Sequence, residues 1–127
     1  MIKLLVIGLG GFIGSVLRYL VSGYVQHISQ SSAFPYGTLV VNVVGCFIIG
    51  FLSHLADAHG FFSAEARAFI FIGILGGFTT FSTFGNESLN LLREGENLPA
   101  LVNIGAHILF GLGAVWLGRN AASMIWR

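Results

Sequence analysis

Charge is scarce in this chain. Only 9% of its 127 residues are charged, six Lys/Arg and five Asp/Glu, against ~25% in an ordinary soluble domain. A soluble fold of this size needs a charged shell that so few residues cannot supply, which leaves an integral membrane protein. The net charge of +1 points to neither nucleic acid nor an acidic partner. Cysteine is nearly absent too. Cys46 alone, inside an apolar run, excludes an intrachain disulfide and reads as small packing filler. No Walker, Rossmann, zinc or nucleophile motif occurs, which disfavours catalysis. The first apolar run holds no carboxylate, the group a small proton-coupled exporter needs within the membrane.

What the chain has is apolar length: 55% of it is hydrophobic. Hydropathy predicts one four-helix transmembrane domain over residues 1–127, with spans at about Leu4–Val25, Gly37–Ala56, Ala68–Leu92 and Pro99–Leu117. The first run is longer than a signal-peptide core and lacks a small-residue cleavage site, so it reads as a retained span. Between the spans lie a polar loop (Gln26 to Phe34), a connector (Asp57 to Arg67) and the segment Arg93 to Asn97. The two prolines, Pro35 and Pro99, stand at span starts, where a missing N–H costs least. With four spans, Lys3, Arg67, Arg119 and Arg127 fall on one side, Arg93 and Arg18 on the other. That bias is too mild to fix topology. The eighteen glycines include pairs at small-xxx-small spacing, Gly10/Gly14 and Gly73/Gly77, echoed by Ala114/Gly118. Such pairs predict close helix packing. Four helices alone can hardly shield a polar midplane segment from lipid, so an oligomer is expected.

That polar segment is the main anomaly. Ten apolar residues, Ala68 to Gly77, lead into Phe78-Thr79-Thr80-Phe81-Ser82-Thr83-Phe84. Ten residues rise ~15 Å, about half of a ~30 Å hydrocarbon core. Polar or irregular backbone at that depth must be buried in protein or line a wet cavity. On a helical backbone Phe78, Phe81 and Phe84 share one side, either as plain packing or as rings whose positive edges face an anion. Edge-on rings and hydroxyls bind weakly enough to let a small anion leave. Unwinding at Gly76–Thr79 would free backbone carbonyls, satisfied by neighbouring helices or used for a monovalent cation.

Other polar residues interrupt apolar surroundings. Asn42 lies in Leu39-Val40-Val41-Asn42-Val43-Val44, as helix glue or as a donor to an anion. Asn103 and His107 share a face of the fourth span that continues through Gly111 and Val115. Arg18, Thr38 and Glu87 lie near span ends, where snorkelling and a vestibule role are both open.

Gly10-Gly11-Phe12-Ile13-Gly14 with Arg18-Tyr19, Gly37-Thr38-Leu39-Val40-Val41-Asn42, and Gly76-Gly77-Phe78-Thr79-Thr80-Phe81-Ser82-Thr83-Phe84 with Glu87 closely resemble the Fluc (CrcB-type) fluoride channels, over essentially the whole chain. The resemblance implies an antiparallel, dual-topology homodimer in the inner membrane of a prokaryotic cell. Each of its two narrow pores would conduct fluoride passively out of the cytoplasm. It assigns the pore to Phe81, Phe84 and Asn42, matches His107 to the fourth-helix stripe and places Arg18, Thr38 and Glu87 near the vestibules; the hydroxyls of Thr80, Ser82 and Thr83 are the further pore donors that the residues themselves offer. A structural sodium ion at the dimer centre would be held by the Gly76 and Thr79 carbonyls. The chain departs from the family at Gly111 and Val115, where a hydroxyl track usually continues. The alternative, a small proton-coupled exporter, has only Glu87 to offer as a membrane carboxylate.

Overall fold

The computed structural model describes residues 1–31 and 33–126; Arg127 of the charge comparison lies outside them. The architecture is all-helical. In chain order come α1 (Ile2–Ser29), α2 (Tyr36–His59), and α3 (Ala64–Arg67), which widens into a π-helical segment (Ala68–Leu75). Next are α4 (Gly76–Phe78), α5 (Phe81–Arg93) and α6 (Asn97–Ile125). Four helical stretches, the third running from Ala64 to Arg93, are long and apolar enough to cross a membrane.

The helices overrun the apolar windows because their polar ends find partners. Gln26 is helical, not the start of a loop. Its Nε2 donates to the carbonyls of Ser31 (2.7 Å) and Phe34 (2.9 Å), and its Oε1 accepts from Gly37 N–H (3.0 Å). One amide thereby satisfies three backbone groups of the turn between α1 and α2. Asp57 to His59 extend α2 until Gly60 ends it in the left-handed region. Within the same connector, Ala64–Arg67 form a helical turn capped by Ser63, whose hydroxyl accepts from Ala66 N–H. Pro99 lies in the first turn of α6, which continues beyond Leu117 to Ile125.

Small residues set the packing. α1 lies mainly on the π-helical segment and also on α2 and α4, while α2 lies mainly on α6. A β-carbon on Gly14 would collide with the Ile74 carbonyl, and one on Gly118 with the Phe47 carbonyl. Backbones thus touch backbones, the packing that works where lipid supplies no hydrophobic drive between helices. The small-residue pairs therefore join helices within the chain. The fully buried positions are mostly small, with Ala100, Ala122 and Val41 at 0% exposure. Large apolar side chains instead face outward, among them Leu109, Leu112 and Trp116.

Candidate functional site

The third membrane-length stretch does not run straight through Gly76–Phe84. α4 stops at Phe78, Thr79 and Thr80 are extended (φ −86°, ψ 157° and φ −151°, ψ 115°), and α5 starts at Phe81. Thr80 caps α5: its Oγ1 accepts from Thr83 N–H at 3.2 Å and donates to Thr83 Oγ1 at 3.0 Å. Gly45 on α2 makes room for the break, since a β-carbon there would overlap Thr79 Cγ2.

Asn42 mends the interrupted backbone. Its Oδ1 accepts from Thr80 N–H at 2.8 Å and its Nδ2 donates to the Thr80 carbonyl at 3.0 Å, a two-bond pairing like one rung of a sheet. In a continuous helix the Thr80 N–H would go to the Gly76 carbonyl, and the Thr83 N–H to the Thr79 carbonyl. Both donors are redirected, the first to Asn42 and the second to Thr80 Oγ1. Gly76 and Thr79 therefore lose their helical donors, and these are the two carbonyls that the family resemblance implies for a cation.

The break also sorts the phenylalanines. A continuous helix would align Phe78, Phe81 and Phe84, but the extended residues turn Phe78 inward, where it is 7% exposed. Phe81 and Phe84 form their own pair, with ring centroids 5.5 Å apart and planes tilted by 54°. Phe81 projects from the chain at 82% exposure. Phe84 rests against the His107 imidazole, centroids 4.2 Å apart.

Two clefts meet at the break. The larger, about 430 Å³, brings Asn42, Thr79, Thr80, Phe81, Phe84 and His107 together. Gly76, Cys46 and Gly111 also line it. Cys46 Sγ lies 3.6 Å from where a Gly111 β-carbon would be, while the Val115 backbone abuts Gly50. The second cleft collects Arg18, Thr38, Thr80 and Thr83 with Ser15, Tyr19 and Ser22. Thr80 belongs to both. Glu87 lines a third cleft with Gln26, Asn90 and Glu94, and its carboxylate lies beside Thr38 of the second. Ser82 lines none of the three; its hydroxyl lies 3.4 Å from Thr80 Oγ1.

Behind the larger cleft runs a chain of hydrogen bonds. Asn42 Nδ2 meets His107 Nε2 at 3.1 Å, and His107 Nδ1 meets the Asn103 carbonyl at 2.9 Å. Asn103 Nδ2 donates to Ser88 Oγ at 2.9 Å, and that hydroxyl donates to the Phe84 carbonyl at 2.8 Å. Asn103, fully buried, fastens α6 to α5. Ser88 is missing from the sequence reading, and its spacing of four from Phe84 was the available clue.

Comparison with known proteins adds a separate line of observation. The family model described as CrcB-like protein, Camphor Resistance (CrcB), matches residues 5–119. A fluoride-specific ion channel FluC 1 from Methanosarcina acetivorans is 48% identical over 122 residues, 96% of this chain and 92% of that protein. A fluoride-specific ion channel FluC from Opitutus terrae is 50% identical, covering 93% and 90%. One from Methylobacillus flagellatus is 44% identical, covering 98% and 97%.

Proposed function

The chain belongs to the CrcB-like protein family, and from that premise we propose that it is a fluoride-selective channel through which cytoplasmic fluoride leaves down its electrochemical gradient. It is a multi-pass membrane protein and a channel, not an enzyme. The observation that carries the reading is the larger cleft, where an amide, hydroxyls and two phenylalanine rings converge beside a backbone break and, among the described residues, no charged side chain lines the wall. Fluoride is small and strongly hydrated, so a pore must replace its water with donors yet hold it loosely. The Thr83 hydroxyl, to which Thr80 Oγ1 donates, Asn42 N–H and the edges of Phe81 and Phe84 suit that task, with His107 in the wall of the larger cleft and Ser82 beside Thr80. Arg18 and Thr38 form a vestibule in the adjoining cleft and draw anions toward Thr80. Glu87 marks a further polar cleft beside Thr38.

The functional unit in this reading is an antiparallel homodimer inserted in both orientations in the inner membrane of a prokaryotic cell. Each 127-residue chain is one four-helix domain, its third span broken near midmembrane. The outward projection of Phe81 supports a partner, because an isolated chain leaves that side of the cleft open. A structural sodium ion would bind the Gly76 and Thr79 carbonyls of both subunits. The fit rests on two carbonyls whose helical donors are redirected, a hard, neutral oxygen set suited to a monovalent ion. Such an ion would supply positive charge that holds the broken backbone in place.

A fluoride-electrode assay on proteoliposomes tests the channel. Fluoride efflux should follow the electrical gradient, and chloride loaded in its place should stay inside. Efflux driven by a proton gradient instead would favour the exporter, and no flux at all would leave only a structural role.

A further inference from the structure

Between ions, Asn42 has no idle donor. A primary amide carries two N–H donors and one carbonyl oxygen. Here Oδ1 accepts from Thr80 N–H, one N–H donates to the Thr80 carbonyl, and the remaining N–H points at His107 Nε2, 3.1 Å away. The direction of that last bond follows from the other side of the ring. His107 Nδ1 lies 2.9 Å from the Asn103 carbonyl, which can only accept, so Nδ1 carries the proton and Nε2 presents a lone pair. The imidazole is therefore an acceptor, on the same donor and in the same cleft that a passing anion would use.

Resting on the channel reading above, we propose that His107 is a positioning residue that acts through Asn42. It holds the second amide N–H in the cleft between ions and yields it when an anion arrives, and this exchange keeps the ion weakly bound. Of Asn42's two partners, His107 is the one able to let go. The Thr80 carbonyl belongs to a two-bond pairing that mends the break, and losing it would orphan backbone in an apolar setting. The His107 bond is single, and the half-buried ring lines the cleft, so Nε2 can take water when released. Each arrival thus exchanges one acceptor for another, and the ion never meets an empty donor. An empty donor would bind it more tightly, against the needs of conduction.

The test is the fluoride concentration giving half-maximal current in planar bilayers, measured for the full chain and its variants. His107→Leu removes the competing acceptor at similar size and should lower that concentration about fivefold, the order expected for one uncontested hydrogen bond. His107→Gln, whose Oε1 can accept from Asn42, should restore the wild-type value to within about twofold, as one acceptor replaces another. In an Asn42→Ala background the Leu change should have no further effect, because the donor is gone. If His107→Leu does not assemble, His107→Met takes its place with the same expectation. A side chain that merely glues helices would change assembly or total current without this shift or its rescue. An unchanged or raised half-saturation in the apolar variant, or a shift that persists without Asn42, overturns the role of His107. A wild-type chain passing no fluoride overturns the channel itself, which is a separate outcome.

Discussion

In the proposed channel Asn42 joins backbone repair to ion handling, so substitutions there should separate the two. Asn42→Ala orphans the N–H and C=O of Thr80, at ~1–3 kcal/mol each, and should lower thermal stability in detergent as well as flux. Asn42→Asp keeps an acceptor for Thr80 N–H but sets a carboxylate against the Thr80 carbonyl and the anion. Its efflux should fall by at least tenfold, ~1.4 kcal/mol of added barrier. The rings are a simpler case. Phe81→Ile and Phe84→Ile keep apolar bulk and lose the aromatic edges, so efflux from liposomes should drop sharply while the sizing profile stays that of the unsubstituted protein. Wild-type rates in both would remove the rings from the pathway.

At the scale of elements, the break persists because both of its edges are satisfied. Thr80 is extended, paired with Asn42 on one side, and caps α5 through its hydroxyl on the other. Thr80→Ala should cost ~0.5–2 kcal/mol of stability and Thr80→Ser much less, read from thermal unfolding in detergent. Helix contacts offer a second comparison. Gly14→Ala drives a methyl into the Ile74 carbonyl and the Phe78 backbone, where no side chain can yield, so monodisperse protein should be lost. Gly8→Ala on the same helix meets nothing within 4 Å and should be tolerated. The contrast separates glycines that join helices from those that merely face outward.

For the whole molecule, the division of polar and apolar surface is inverted relative to a soluble domain. Small residues and the Asn103–Ser88 pair fill the interior while leucines and aromatics cover the outside. Ion pairing adds little. The Arg119–Asp57 bridge of 3.1 Å is between exposed side chains and is worth at most ~1 kcal/mol. Assembly is expected to rest on apolar faces and on the cation. If the proposed sodium site exists, replacing sodium by a bulky organic cation in every buffer should slowly abolish fluoride efflux or dissociate the proposed dimer on a sizing column. Indifference to sodium would take the Gly76 and Thr79 carbonyls out of ion binding.

Class and membrane character were legible in the sequence because they depend on totals: too few charges for a soluble shell, and four runs long enough to cross a bilayer. The site was legible as an anomaly, since hydroxyls amid apolar residues demand an explanation whatever the fold. Local pattern could not say which partner each polar group would find. Asn42 and Thr80 are 38 residues apart and Asn42 and His107 are 65 apart, separations that only helix packing closes. Periodicity aligned three phenylalanines, and two extended residues took Phe78 out of line, because a break resets helical phase. Residue types identified a polar place in an apolar chain. Tertiary structure decided which groups there are already satisfied, and so which can be lent to an ion.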